Sequence, residues 1–141
     1  MSEHGPTVVV DASVAVKWFV SERESHVDAA WALLESHLHG RTTLAAPCHL
    51  HLEVLNAARS RQLSLADLLQ VCSALDGLQV ELHPVTGPLS QSAVELADKH
   101  RLTLYDAAYA ALALDLDAEL VTADRRLAES GACRVMLLGA T

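Results

Sequence analysis

A run of β-branched apolar residues that stops at an acid constrains this chain more than any other feature. Thr7 precedes the apolar run Val8–Val10, and Asp11 follows it. Consecutive residues of this type are typical of a short strand buried on both faces, as in parallel sheets. Open α/β sheets bind their ligands beyond the carboxyl ends of such strands. The run therefore predicts a parallel sheet with Asp11 at its functional edge, followed by a helix that Ser13 caps.

The rest of the chain alternates between helical and strand-like patterns. Strands are predicted at about 42–46, 78–82, 118–121 and 134–138. Helices are predicted at about 24–38, 47–62, 64–75, 89–100, 103–114 and 125–129, the second of them beginning at Pro47. This alternation is typical of a three-layer α/β/α sandwich around a mainly parallel sheet. Because there is no linker or internal repeat, residues 1–141 are predicted to form one domain.

Composition narrows the possible functions. A net charge of −8 disfavours stable binding to long duplex DNA, but it permits an acidic metal site with a few arginines at its rim. No apolar run reaches the ~20 residues of a membrane span, and Met1–Pro6 lacks the features of a signal peptide. Cys48, Cys72 and Cys133 have apolar neighbours and form no CxxC pair, which predicts buried free thiols. We therefore expect the protein in the cytoplasm.

Four acids occupy positions that a parallel sheet can bring together. Asp11 and Asp124 follow predicted strands, and Glu53 and Asp106 lie in first helical turns. Each also has a local explanation. Asp11 and Asp124 can cap helices, Glu53 can favour the helix dipole, and Asp106 can complete a capping box begun by Thr103.

If these four carboxylates meet at one edge, they repel one another unless a divalent cation lies among them. Oxygen ligands favour Mg²⁺, with Mn²⁺ as the alternative, over zinc. Such a site is suited to hydrolysing a phosphodiester, because the metal neutralises the phosphate and activates a water.

Four ordered segments of the chain together resemble PIN-domain ribonucleases of the VapC toxin type. They are TVVVDAS at 7–13, HLEVLNAAR at 51–59, LYDAAYAALA at 104–113 and LVTADRRLA at 120–128. The resemblance implies an α/β/α fold, a homodimer and Mg²⁺-dependent endoribonuclease activity that leaves 5′-phosphate and 3′-hydroxyl ends. It also implies a small antitoxin whose C-terminal arm enters the acidic groove.

The resemblance also implies roles for individual residues. The catalytic and metal-binding acids of the family map onto Asp11, Glu53, Asp106 and Asp124. Ser13 and Thr122 match hydroxyl positions that assist these acids, and Asn56 matches an amide that follows the motif glutamate.

Basic residues close to these motifs are candidates for contacts with RNA phosphates at the groove rim. They are Arg59, Arg61, Arg125 and Arg126, with Lys17 as a further candidate. Ordinary surface charge near helix ends explains them equally well.

Three alternatives are left open. His49 and Glu53 are four residues apart and invite a zinc site, but zinc needs three or four well-spaced nitrogen or sulfur ligands, and we expect solvated histidines instead. An Asp after the first strand also occurs in phosphotransfer and phosphatase-type proteins, although the phosphatases carry a second Asp where Ser13 stands. The chain can also be a non-catalytic module that binds RNA or a protein partner.

Overall fold

The computed structural model describes residues 5–140, so most of the N-terminal segment considered above and residue 141 lie outside the described chain. The described residues form a five-stranded sheet of order β3-β2-β1-β4-β5, in which every neighbouring pair is parallel. The strands are β1 (Thr7–Val10), β2 (Thr43–Pro47), β3 (Glu81–His83), β4 (Glu119–Thr122) and β5 (Val135–Leu137). β1 lies at the centre, as a run of apolar β-branched residues predicts.

Within residues 5–140, seven helices connect these strands. They are α1 (Ala12–Ala15), α2 (Val27–Leu38), α3 (Leu50–Ser60), α4 (Leu65–Gly77), α5 (Gly87–His100), α6 (Leu104–Asp115) and α7 (Arg125–Ala128), and a 3₁₀ turn, Val16–Trp18, extends α1. The chain crosses the sheet in one direction from β1 to β3 and in the other from there to β5. Right-handed crossovers then place α2–α4 on one face and α5–α7 on the opposite face. The predicted three-layer sandwich is confirmed.

Both faces of the sheet contribute to the core. Val9 and Val10 point to opposite faces, and neither is exposed to solvent. On α6 the run from Ala107 to Ala113 is buried throughout, because its small side chains let the helix lie close against the strands. Tyr109 is the one bulky polar-tipped side chain in that run, and it is 1% exposed. None of the helices within residues 5–140 is long and apolar enough to cross a membrane.

Two local predictions were wrong. Asp11, and not Ser13, is the N-cap of α1, since its carboxylate accepts a hydrogen bond from the Val14 N–H at 3.3 Å. Pro47 does not begin a helix but ends β2, and α3 begins at Leu50. Pairing between β1 and β2 ends before Pro47, at Ala45, so the missing proline N–H removes no bond to β1.

The cysteines were also mispredicted. Cys48 and Cys72 are exposed and Cys133 is half-buried, although all three are free thiols. Apolar neighbours in the sequence do not imply burial on a helix, because adjacent residues point in different directions. Val71 is buried on α4, whereas Cys72 faces solvent.

Candidate active site

The carboxyl ends of β1 and β4 lie side by side and bring Asp11 against Thr122. Val10 pairs with Val121, so the next residues of the two strands meet at the sheet edge. The Thr122 hydroxyl donates to Asp11 Oδ2 at 2.5 Å, and the Ser13 hydroxyl donates to Asp11 Oδ1 at 2.5 Å. These hydroxyls hold the carboxylate in a single orientation.

The same two hydroxyls also fix the backbone after β4. Ser13 Oγ accepts a hydrogen bond from the Ala123 N–H at 2.9 Å, and Thr122 Oγ1 accepts one from the Asp124 N–H at 3.0 Å. Asp124 then caps α7, since its carboxylate accepts a hydrogen bond from the Arg126 N–H at 2.9 Å. The loop that carries Asp124 is thereby tied to the loop that carries Asp11.

Asp11 is a buried carboxylate with a strongly perturbed pKa. Only 4% of the residue is exposed. Burial, assisted by the negative charge of Asp106 and opposed by the hydrogen bonds of the carboxylate, raises the pKa of Asp11 to about 6. A carboxylate of this kind is destabilised when ionised and gains strongly from a cation.

Asp106 connects the other acids electrostatically. It lies in the first turn of α6, and its N–H donates to Thr103 Oγ1 at 3.1 Å, as the capping box predicts. Burial raises the pKa of Asp106, and the nearby charges of Asp124 and Glu53 raise it as well. Asp106 therefore lies within electrostatic range of all three other predicted acids, and the structure brings the four to one edge of the sheet.

Glu53 differs from Asp11 and Asp106 because its pKa is lowered and not raised. Burial alone would raise the pKa of Glu53, but the His49 imidazole and the Tyr109 hydroxyl outweigh it and hold the pKa below its usual range. The Tyr109 hydroxyl donates to Glu53 Oε1 at 2.7 Å. His49 Nε2 lies 3.2 Å from the same oxygen but is not aligned for a hydrogen bond, so this contact is electrostatic. Glu53 is thus held as an anion with Oε2 uncommitted.

Two neighbours of Glu53 differ from expectation. The His49 side chain is only 18% exposed, so the prediction of a solvated histidine was wrong for this residue. Its ring packs against Tyr105 and Tyr109, with centroid distances of 5.8 and 4.9 Å. Sequence reasoning missed Tyr109, although a tyrosine one helical turn after Asp106 was the available signal.

The carboxylates at this edge suit an ion that keeps several of its water ligands. Within residues 5–140, no group of three or more His, Cys, Asp or Glu side chains is arranged to hold a metal ion by itself. A zinc site needs three or four protein ligands. Mg²⁺ is commonly bound through one or two carboxylates and keeps several waters. Asp11 and Asp106, whose pKa values are both raised, are the side chains that fit such an ion best.

The predicted basic residues are distributed unequally around the site. Arg126 donates to the Arg101 carbonyl at 2.8 Å, and Arg125 lies 3.8 Å from Glu129. Arg59 and Asn56 are exposed on α3, whereas Arg61 forms an ion pair with Glu24 at 2.6 Å.

Lys17 was predicted at the groove rim, but it is 5% exposed and bonded to Glu24. Since its ammonium already has a carboxylate partner, it is a buried ion-pair residue and not a surface cation.

Known proteins share this fold and part of this sequence. A family model of the PIN domain matches residues 8–131. Over 131 residues the chain is 35% identical to Ribonuclease VapC12 of Mycobacterium tuberculosis (strain CDC 1551 / Oshkosh), covering 87% of this chain and 91% of that protein. The crystal structure of Mycobacterium tuberculosis VapC20, a Sarcin-Ricin loop cleaving toxin, superposes with a TM-score of 0.71 at 17% identity, covering 88% of this chain and 95% of that chain. VapBC2 from Rickettsia felis, bound to a DNA fragment from their promoter, gives a TM-score of 0.69 at 17% identity, covering 93% of this chain and 98% of that one.

Proposed function

Since this chain belongs to the PIN domain family, we propose that it is a Mg²⁺-dependent endoribonuclease and the toxin of a toxin–antitoxin pair. The observation that carries the proposal is the buried Asp11 carboxylate. Two hydroxyls orient it, its pKa is raised to about 6, and it lies within electrostatic range of Asp106. The 35% identity to a ribonuclease supports RNA as the substrate.

In the proposed mechanism, Asp11 and Asp106 hold the ion, and Asp124 and Glu53 complete its surroundings directly or through water. When bound, Mg²⁺ supplies charge neutralisation at the scissile phosphate and a more acidic water, and Mn²⁺ can replace it. Ser13 and Thr122 keep the Asp11 oxygens in place.

Glu53 is suited to orienting the attacking water and accepting its proton. Tyr109 occupies Oε1, so Oε2 is the oxygen that can contact the water. A low pKa keeps Glu53 ionised at neutral pH. Attack on the phosphorus by this water, with departure of the 3′ oxygen, leaves 5′-phosphate and 3′-hydroxyl ends.

We also propose a protein partner at this edge. Three exposed apolar side chains immediately precede Glu53 or Asp106 in the sequence: Leu52 is 72%, Leu104 53% and Tyr105 63% exposed. Exposed apolar groups beside an acidic groove suit an antitoxin arm that carries arginine. We further expect a homodimer that acts in the cytoplasm, and contacts of Arg59, Arg61, Arg125 and Arg126 with RNA phosphates.

The decisive experiment compares digestion of total RNA with Mg²⁺ and with EDTA, and maps the product ends. Asp106→Asn should lower cleavage by about 100-fold or more, because it removes an ion ligand. Asp67→Asn is the matched control. Asp67 holds the same capping-box position after Ser64 on α4, where its N–H donates to Ser64 Oγ at 3.1 Å, and it is exposed.

Cleavage that persists in EDTA, or equal loss in the Asp106 and Asp67 variants, would contradict the proposal. Acyl-phosphate formation with a small phosphodonor would indicate the phosphotransfer alternative. Binding of RNA without any cleavage stimulated by a divalent ion would indicate the alternative of a non-catalytic binding module.

A further inference from the structure

A cleft opens beside the acids and shares part of its wall with the candidate active site. Its volume is about 410 Å³, which lies within the ~300–1,000 Å³ of ligand pockets. Its lining includes Ser13 and Glu53 from the site described above, together with Lys17, Glu24 and Arg61. A ligand that extends from the acids into this cleft would therefore meet an ion-pair network.

Lys17 and Glu24 form the buried part of that network. The Lys17 side chain is 6% exposed, and its ammonium donates to Glu24 Oε1 at 2.8 Å and to the Ser25 carbonyl at 2.7 Å. The charges of this pair cancel, which meets the requirement for burying a lysine. An ammonium has three N–H donors, so one remains uncommitted.

Arg61 adds a positive charge that the buried pair does not need. It donates to Glu24 Oε2 at 2.6 Å, and its side chain is 35% exposed. The two cations and Glu24 carry a net charge of +1, which the ionised Glu53 in the wall of the same cleft balances. A guanidinium has five N–H donors, and the carboxylate of Glu24 holds one of them, so the exposed part can bind an anion.

We propose that this cleft is the subsite for an RNA phosphate next to the one that is cleaved. Arg61 contacts the phosphate, and Lys17 and Glu24 position Arg61. The inference rests on the proposed function, because it takes RNA as the ligand.

The test measures the affinity of a short single-stranded RNA of mixed sequence over a range of salt concentrations. The Asp11→Asn variant serves as the parent, so that the RNA is not cleaved. Adding Arg61→Ala should raise Kd about tenfold, the effect of one charge-assisted contact. It should also lower the slope of log K against log salt by about 0.7, the value for one phosphate on a single strand. Arg61→Lys should keep the slope and lose part of the affinity.

Arg41→Ala is the matched control. Arg41 is exposed and precedes β2, at the opposite edge of the sheet from the acids, so its loss should leave Kd within about twofold. Circular dichroism and melting curves establish that each variant is folded. If Arg61→Ala is not folded, Arg61→Gln is used in its place, because glutamine keeps a hydrogen bond to Glu24 without the charge.

The proposal is overturned if Arg61→Ala or Arg61→Gln behaves like Arg41→Ala, or if Arg61→Lys loses as much slope as Arg61→Ala. A purely structural role would shift the melting temperature and leave the salt slope unchanged. If neither the parent variant nor the wild-type protein binds RNA, the subsite and the proposed function both fail. If the wild-type protein binds RNA with this salt dependence but does not cleave it, only the proposed catalysis fails.

Discussion

Replacing Asp11 with asparagine should stabilise the metal-free protein while it removes activity. The pKa of Asp11 rises from 3.8 to about 6 through burial. One pKa unit corresponds to 1.36 kcal/mol, so holding this carboxylate ionised at neutral pH costs about 3 kcal/mol of folding free energy. Asparagine has nearly the same shape and carries no charge, so it avoids that cost.

The hydrogen bonds of Asp11 reduce the expected gain but do not cancel it. Ser13 Oγ and the Val14 N–H donate to Oδ1, which the asparagine oxygen can replace. Thr122 donates to Oδ2, where the asparagine would present an N–H. The Thr122 hydroxyl can instead accept that N–H and turn its proton toward Ser13 Oγ, which is 3.3 Å away. Allowing for weaker bonds to a neutral group, we expect a net gain of about 1–3 kcal/mol.

The stability difference between the wild type and Asp11→Asn should depend on pH, with a sign that follows from the raised pKa of Asp11. A carboxyl with a raised folded-state pKa contributes stability below its unfolded pKa, and that contribution is lost as the pH rises through the folded pKa. For Asp11 the wild type therefore loses stability relative to the variant between about pH 4 and about pH 6. At about pH 4 and below the two proteins should be nearly equal in stability, and above about pH 7 the difference should be constant.

Urea denaturation in EDTA at several pH values measures the difference directly. Excess Mg²⁺ should raise the stability of the wild type and leave the variant unchanged, because ligand binding stabilises only the protein that binds it. A variant less stable than the wild type at about pH 7.5, or a difference that does not change with pH, would refute the reasoning about burial.

Two further predictions concern the donor to Glu53 and the pH dependence of Mg²⁺ binding. Tyr109→Phe removes the donor to Glu53 Oε1, so the free energy of unfolding should fall by about 1 kcal/mol. Because this hydrogen bond lowers the pKa of Glu53, the acidic limb of the pH–rate profile should move to higher pH. An unchanged profile would contradict the role of Tyr109. Mg²⁺ affinity, measured by titration calorimetry, should fall up to about tenfold for each pH unit below about 6, because protons compete for Asp11. An affinity independent of pH would contradict Asp11 as a ligand.

The sequence was sufficient to locate the edge of the sheet where the acids meet. Three valines in succession are typical of a strand that is covered on both faces, and the residues that follow parallel strands lie at one edge of the sheet. Asp11 and Asp124 could therefore be placed from local pattern alone. Asp106 could be placed through its capping box, which the structure reproduces with a bond of 3.1 Å to Thr103.

What the sequence could not show are contacts that depend on how helices pack. Tyr109 reaches Glu53 across 56 residues of chain, and that pairing depends on the relative positions of α3 and α6. Lys17 was misplaced for a similar reason, since its burial depends on Glu24 from a loop that carries no regular pattern. Periodicity identifies the inward face of a helix but not the residue that it meets there.

Within residues 5–140, no three His, Cys, Asp or Glu side chains form a preformed cage for a metal ion. A closed cage of protein ligands would leave no position for a phosphate oxygen and a water, both of which hydrolysis needs. Here burial and the charge of Asp106 destabilise the ionised form of Asp11, while hydroxyl donors keep its oxygens in place. An ion that arrives with its waters relieves that charge and keeps open positions for the substrate. The electrostatic strain at this edge is therefore a source of binding energy for the ion. The cleft around Arg61 adjoins the same edge, and under our proposal it receives the next phosphate of an RNA.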